Sequence, residues 1–488
     1  LIQQPDAPFY APGHKRGQGI PQPLAQLLGT SVFKADLPEL PQLDNLFAPA
    51  GVIEQAQALA AQAFGAERTW FLVNGSTAGI IAAILATCRP GDKIILPRTA
   101  HQSAIAGLIL SGAIPLFIAP TYDPDCDLAY SLTPAALETA LEQHPDAKAV
   151  MVVYPTYQGI CCDLEAIAAI AHQHNLPLLV DEAHGAHFSF HPDLPPAAIA
   201  AGADLSVQST HKVLGAMTQA SMLHLQGQRI DPQQISKALQ LIQSTSPSYL
   251  LLASLDAARA QMALQGQELL ARTLALAEDA RNRLSQIPGL SVLELPQPLP
   301  GFRWLDRTRL TVNVAPLGLS GFEADAILHE QLGVTAELPM PSHLTFIISI
   351  GNTARDIDQL VQAFTTLTRV DFLKSREDGR GDTGRRGRAE NFSPFCVPCH
   401  LPISSASLSP RDAFFAVTET LELEKACDRI SAELICPYPP GIPILMPGEL
   451  ITPAALTYLQ QGLSLGATIT GCSDPSLKTI KVIRRGAH

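Results

Sequence analysis

The chain lacks any apolar run of the roughly 18–20 residues that a membrane-spanning helix requires. Its longest contender, residues 78–87, stops at Cys88-Arg89-Pro90-Gly91-Asp92. A signal-peptide pattern is missing from the start, which opens at Leu1 rather than Met. No Gly-Lys dipeptide occurs anywhere, which removes the phosphate-binding P-loop and the nucleotide hydrolysis that depends on it. Charged residues are scarce at 16%, below the roughly 25% of an average soluble protein, so much of the surface is expected to lie under other elements or subunits. Cysteine is sparse too. The nine thiols are scattered and odd in number, which rules out complete internal pairing and points to a reducing compartment, read here as the cytoplasm. A balance of 33 Lys+Arg against 45 Asp+Glu gives a net charge of −12, which argues against a protein that grips nucleic acid.

What is present is a large apolar fraction, 47% of 488 residues, enough for a substantial core in two to four domains. Short aliphatic runs at 93–97, 114–118, 149–153 and 176–180 alternate with Ala- and Leu-rich stretches such as 164–174. Continuous apolar strands separated by helices predict an α/β fold with a mostly parallel central sheet covered on both faces. Ligands of such sheets bind beyond the carboxyl ends of the strands. The pattern turns helical from 232 to 284 and then reads as a small α+β unit, with strands at 309–314 and 345–350 around a helix at 324–331. The expected division is an N-terminal segment (1–55), a large domain (56–300), a small α+β domain (301–370), a Gly/Arg-rich linker or insertion (371–406) and a C-terminal domain (407–488).

Residues 71–79, ending in Asn74-Gly75-Ser76-Thr77, read as a strand and a small-residue loop entering a helix near 80. Free N–H groups and a helix dipole would converge there on an anion, although taken alone the stretch reads first as a plain capped helix after a tight turn. The run 176–180 leads into Asp181-Glu182-Ala183-His184-Gly185-Ala186-His187. The first four of these residues also form a helicase signature, which fails here for want of a P-loop. A metal held by His184, His187 and a carboxylate lacks a convincing remaining ligand set. The third reading pairs Asp181 with Lys212, which sits in Ser209-Thr210-His211-Lys212 after another strand-like run. A buried carboxylate and a lysine amine at two strand ends suit pyridoxal phosphate, whose ring nitrogen must keep its proton and whose aldehyde must form a Schiff base.

From there the chain resembles the Orn/Lys/Arg decarboxylases, pyridoxal-phosphate enzymes of the aspartate-aminotransferase fold (fold type I). The likeness runs nearly end to end, through Pro12-Gly13-His14-Lys15, Asn74 to Thr77, His101-Gln102-Ser103, Pro155-Thr156-Tyr157-Gln158-Gly159, Asp181 to His187, Ser209 to Lys212, Tyr438 to Pro443 and Pro447-Gly448-Glu449. The resemblance implies decarboxylation of lysine, arginine or ornithine to the corresponding amine, with lysine or arginine favoured. Transamination on the same cofactor and a non-catalytic scaffold are the rivals.

It also implies roles. Lys212 carries the cofactor, Asp181 pairs with its ring nitrogen, His101 stacks on the ring and His184 lies beside it. Gly75, Ser76, Thr77, Ser209 and His211 hold the phosphate, and Ser244 reaches in from a neighbouring subunit. Glu337 and His14 are the substrate candidates, and no metal is expected. The larger family members carry an N-terminal wing domain; the resemblance here begins almost at once, so a homodimer or a small oligomer of dimers is expected. Cys396-Val397-Pro398-Cys399-His400 fits a haem-attachment pattern but is read as an incidental loop, since attachment requires an exported chain.

Overall fold

The computed structural model describes residues 7–369, 408–438, 440–464 and 466–486. The linker expected over 371–406, with Cys396, Cys399 and His400, lies outside the described residues.

Seven strands build the central sheet: β1 (Arg68–Leu72), β2 (Lys93–Pro97), β3 (Ile114–Ile118), β4 (Ala147–Val153), β5 (Leu178–Asp181), β6 (Leu205–Gln208) and β7 (Ser221–Leu225). Their spatial order is β1-β7-β6-β5-β4-β2-β3. Pairings from β6 through to β3 are parallel, and β7 alone runs against its two neighbours. Alternate residues feed two cores. Phe71, Ile95, Val150, Val152 and Val180 pack on one face, while Leu72, Ile94, Leu96, Met151 and Leu179 pack on the other. Burial on both faces is why these strands read as unbroken apolar runs. The mostly parallel α/β sheet predicted by sequence is therefore present, and β2 and β3 fall on the predicted residues. Strand β7 carried no signal of its own, because Ser221-Met222-Leu223-His224-Leu225 has no β-branched residue.

Helix α1 (Gly75–Thr87) begins five residues earlier than the sequence pattern implied. It lies very close to the sheet. A β-carbon at Gly79 would stand 2.5 Å from Val207 Cγ1 and 2.7 Å from Leu72 Cδ1. Gly107, in helix α2 (Gln102–Ser111), does the same for helix on helix, with Ile84 Cδ1 at 2.7 Å. Helix α3 (Pro232–Ile242) covers α1 from the far side, burying Ile235, Ala238 and Leu239 in the same core.

A single 37-residue helix, α4 (Tyr249–Ser285), bridges two cores over roughly 55 Å. Leu255, Met262 and Leu270 belong to the main core, and Ala277, Ala280 and Leu284 to the next. That second core sits under an antiparallel sheet of Ser291–Val292, Arg309–Asn313, His343–Ile347 and Leu338–Pro339, with helices α5 (Gly321–Leu332) and α6 (Ala354–Leu367). A third core unites the strand pairs Thr418–Glu422 with Thr479–Ile483 and Cys436–Tyr438 with Thr468–Thr470, together with helix α7 (Pro453–Ser464).

The C-terminal unit is tied to the large one by Arg98, just past β2. Its guanidinium donates to the carbonyls of Pro443 at 2.8 Å and Ile444 at 2.9 Å, and pairs with Glu449 at 3.1 Å. Both side chains are almost fully buried. Burial pushes the Glu449 carboxyl above its ordinary pKa, and Arg98 opposes that push.

Two stability predictions follow from these contacts. Gly79→Ala should cost roughly 1–3 kcal/mol by overpacking, read from urea unfolding; wild-type stability would mean that α1 can lift off the sheet freely. Arg98→Met should cost about 3–5 kcal/mol at neutral pH, because it strands a buried carboxylate. The loss should shrink as pH falls, since protonation of Glu449 removes the uncompensated charge, and a loss that does not change with pH would contradict this account.

Candidate active site

Strands β2, β4, β5 and β6 deliver their carboxyl ends to one side of the sheet, and a cavity opens there. His101 follows β2, Tyr157 follows β4, Asp181 ends β5 and Lys212 follows β6, while Ser76 enters from the start of α1; all five line the cavity. The C-terminal unit closes the far wall with Pro437, Pro440, Ile442 and Ile444, the segment that Arg98 holds.

Asp181 is 6% exposed, and among the described residues its carboxylate accepts only the Ala183 N–H, at 3.2 Å. Burial raises its pKa, while the charges of His101 and Lys212 pull it down. Burial lowers that of Lys212, against the attraction of Asp181. Lys212 Nζ lies 2.9 Å from His184 Nε2 and 5.3 Å from the Tyr157 ring centre. His101 is the N-cap of α2: its Nδ1 accepts the Ser103 N–H at 3.2 Å, which fixes the ring plane by the same bond that starts the helix. Its pKa is lowered, chiefly by burial. Gly441 packs on that ring, where a β-carbon would approach His101 Nε2 to 3.1 Å.

The expected phosphate group is partly assembled. Gly75 holds φ +74° at the start of α1, a value that favours glycine. Ser209 Oγ donates to Ser76 Oγ at 2.7 Å, joining the ends of β6 and β1. Thr77 is exposed on the first turn of α1 and does not line the cavity. His211 Nδ1–H donates to the Ala220 carbonyl at 2.9 Å, so donation from Nε2 to an anion requires the doubly protonated ring. Burial pulls against that form.

Ser244 is exposed, with its backbone N–H on Asn74 Oδ1 at 3.2 Å, beside α1 but off the cavity wall. His14 also lies off the wall, paired with Asp36 at 3.1 Å and edge-on to Phe33. Glu337 is exposed, and its charge is felt by Tyr157, Arg309 and Lys212. His184 and His187 turn to different partners, Lys212 and Asp306, rather than to a common point.

Sequence reasoning missed the layer behind the cavity. Arg309 and Asp306 are wholly buried and paired at 3.5 Å, and Arg309 Nη2 donates to His184 Nδ1 at 3.2 Å and to the His184 carbonyl at 3.1 Å. Tyr157 was quoted only as part of a motif, yet its ring lies 4.1 Å from that of His184. The available signal for Arg309 was a charged residue opening an otherwise apolar strand, which reads equally well as a strand end.

Comparison with known proteins agrees with this architecture. The family model described as Orn/Lys/Arg decarboxylase, major domain, matches residues 2–299, and its C-terminal domain model matches 400–472. An arginine decarboxylase of Bacillus subtilis (strain 168) is 39% identical over 98% of this chain and 94% of its own length. The lysine decarboxylase LdcA of Pseudomonas aeruginosa is 26% identical over 92% of this chain and 73% of its own. Among solved structures, the lysine decarboxylase LdcF of Francisella novicida superposes with a TM-score of 0.85 at 22% identity, over 99% of this chain and 80% of that one. That likeness speaks to the fold, as does a TM-score of 0.52 with an alanine–glyoxylate aminotransferase from Nostoc sp., which is 19% identical and covers 67% of this chain and 89% of that one. By sequence over nearly its whole length, the chain belongs to the Orn/Lys/Arg decarboxylase family.

Proposed function

We propose that this protein is a pyridoxal-phosphate-dependent decarboxylase that converts arginine to agmatine and CO2. The observation that carries the reading is one buried cavity holding a lysine amine, a carboxylate with a single backbone partner and a histidine ring pinned by a helix cap. Decarboxylation of a basic amino acid agrees with the family. Arginine is preferred because the arginine decarboxylases reach 38–39% identity, against 24–26% for the lysine decarboxylases.

The residues present fit the cofactor. Asp181 has lone pairs to spare inside the cavity, Lys212 is a half-buried amine on its wall, and the Ser76–Ser209 pair at the start of α1 offers hydroxyls and backbone N–H groups to a phosphate. When bound, pyridoxal phosphate supplies an electron sink for the pair left at Cα as CO2 departs. Asp181 would hold a proton on the ring nitrogen, because a carboxylate in a dry site strongly favours a cation beside it. His101 would fix the ring plane, and Tyr157 would limit water near the reacting carbon. Lys212 Nζ and His184 Nε2, 2.9 Å apart, would hold the proton returned to Cα. Glu337 would face the cationic end of the substrate.

The three units with separate cores are proposed as the large, small and C-terminal domains at the boundaries expected from sequence. A cytoplasmic homodimer is part of the same proposal. Leu27, Leu241 and Leu264, about four-fifths exposed, supply apolar surface for a second copy. Among the described residues no helix is long and apolar enough to cross a membrane.

Incubation with arginine, lysine and ornithine should release CO2 and amine, with the highest kcat/KM for arginine; a keto acid product would replace decarboxylation with transamination. Borohydride should fix the cofactor to Lys212, and Lys212→Ala should abolish both fixation and turnover. Asp181→Asn should bind cofactor but lose on the order of 10²–10³ in kcat, and full activity in that variant would remove Asp181 from the chemistry.

A further inference from the structure

We propose that Arg309 is a positioning residue that fixes His184 as its Nε2–H tautomer, so that His184 presents a donor rather than an acceptor to the Lys212 amine. The inference rests on the assignment of Lys212 above and adds a residue of the small domain to the proton-handling machinery.

A guanidinium has only N–H donors. Arg309 Nη2 stands 3.2 Å from His184 Nδ1, so Nδ1 must be the acceptor and the ring proton of a neutral His184 must sit on Nε2. The opposite tautomer would set two donors face to face between two buried side chains. Doubly protonated His184 meets the same conflict, with the Lys212 and Arg309 charges added. The Nε2–H group then points at Lys212 Nζ, 2.9 Å away, where a lone pair is needed to receive it. An ammonium offers none, so the contact is made with the neutral amine, the form that serves as nucleophile and base. Burial lowers the Lys212 pKa in the same direction, with Arg309 adding to it and Asp181 and Glu337 opposing.

Arg309 is built to hold that position. Its side chain is wholly buried, and the same Nη2 also donates to the His184 carbonyl at 3.1 Å, so it reads the backbone and the ring of one residue together. Asp306 pairs with its Nε at 3.5 Å. Burial works against charge on Asp306, but His187, Arg309 and Thr308 together hold its carboxyl down to about 2. Thr308 donates its hydroxyl to Asp306 at 2.7 Å, which locks the carboxylate plane. Gly159 leaves the room: a β-carbon there would stand 2.8 Å from Arg309 Cβ and Cγ. Tyr157 packs against the His184 ring at 4.1 Å and restrains its rotation.

The test reads the tautomer directly, by 15N correlation spectra of the full-length protein labelled at histidine, recorded with Lys212 free and again after pyridoxal phosphate is added, with His184 assigned by the signals lost in His184→Gln. Wild type should show His184 neutral and protonated at Nε2 throughout the range of about pH 6–9. Arg309→Met should release the ring to a mixture or to Nδ1–H and lower kcat on the order of 10²-fold, with a smaller change in KM. Arg309→Lys, which retains a donor, should restore the wild-type pattern. Wild-type His184 protonated at Nδ1 overturns the proposal, whether or not Arg309→Met folds, and so does an Arg309→Met spectrum identical to wild type. Borohydride fixation at a residue other than Lys212 would remove the functional reading while leaving the tautomer result standing, so the two failures are separable.

Discussion

The site depends on keeping water away from a carboxylate and an amine that face one cavity. Asp181 is buried and Lys212 half-buried, and burial drives each toward its neutral form while their mutual attraction opposes it. In bulk water an attraction between such groups would amount to roughly 1 kcal/mol at contact distance; in a dry cavity it grows several-fold. That amplification couples the protonation of the two groups, and it exists only while the walls exclude solvent. Most of the wall comes from the strand ends and loops of the large unit, and the C-terminal unit closes the remainder through Pro437, Pro440, Ile442, Ile444 and Tyr458.

This division of labour explains why so much buried polar structure lies at the seams. Arg98 and Glu449 form an almost fully buried pair whose desolvation is costly, and the large and C-terminal units meet there. Such pairs add little net stability compared with an apolar contact, but they tolerate only one geometry. Gly441 shows what that geometry serves: its carbonyl accepts the Gln102 N–H at 3.0 Å, and a β-carbon there would stand 3.1 Å from His101 Nε2. The C-terminal unit therefore presses on the ring that α2 caps, so domain docking and ring orientation are one constraint.

The legible part of this protein was the part governed by local pattern. Strands β2 and β3, buried on both faces, announced themselves as apolar runs, and the alternation with helices carried the sheet's direction. Asp181 and Lys212 stood out because each charge follows such a run directly, and the structure brings both to the wall of one cavity. Strand β7 was silent because its burial comes from its two neighbours, β1 and β6, rather than from its own β-branched content. His14 and Ser244 were named from resemblance alone, and within one chain they stand off the cavity wall. Arg309 was illegible for a different reason. Its partners Asp306 and Thr308 are neighbours in sequence, but His184 lies 125 positions away, and no periodicity records that contact.

That distance gives the network behind the cavity its meaning. A histidine beside a lysine amine can act as acid, base or spectator, and its own sequence neighbourhood does not choose among these. The choice is made by the group on its far nitrogen. Here that group is a guanidinium, which cannot accept a proton and does not surrender one, so the ring can change state at one nitrogen only. A carboxylate in the same place would accept from Nδ1–H and stabilise the charged ring, turning its near nitrogen toward Lys212 as an acceptor. With an arginine there, and with Asp306 held charged beneath it, the strand that Arg309 opens sets the direction in which a proton can move between His184 and Lys212.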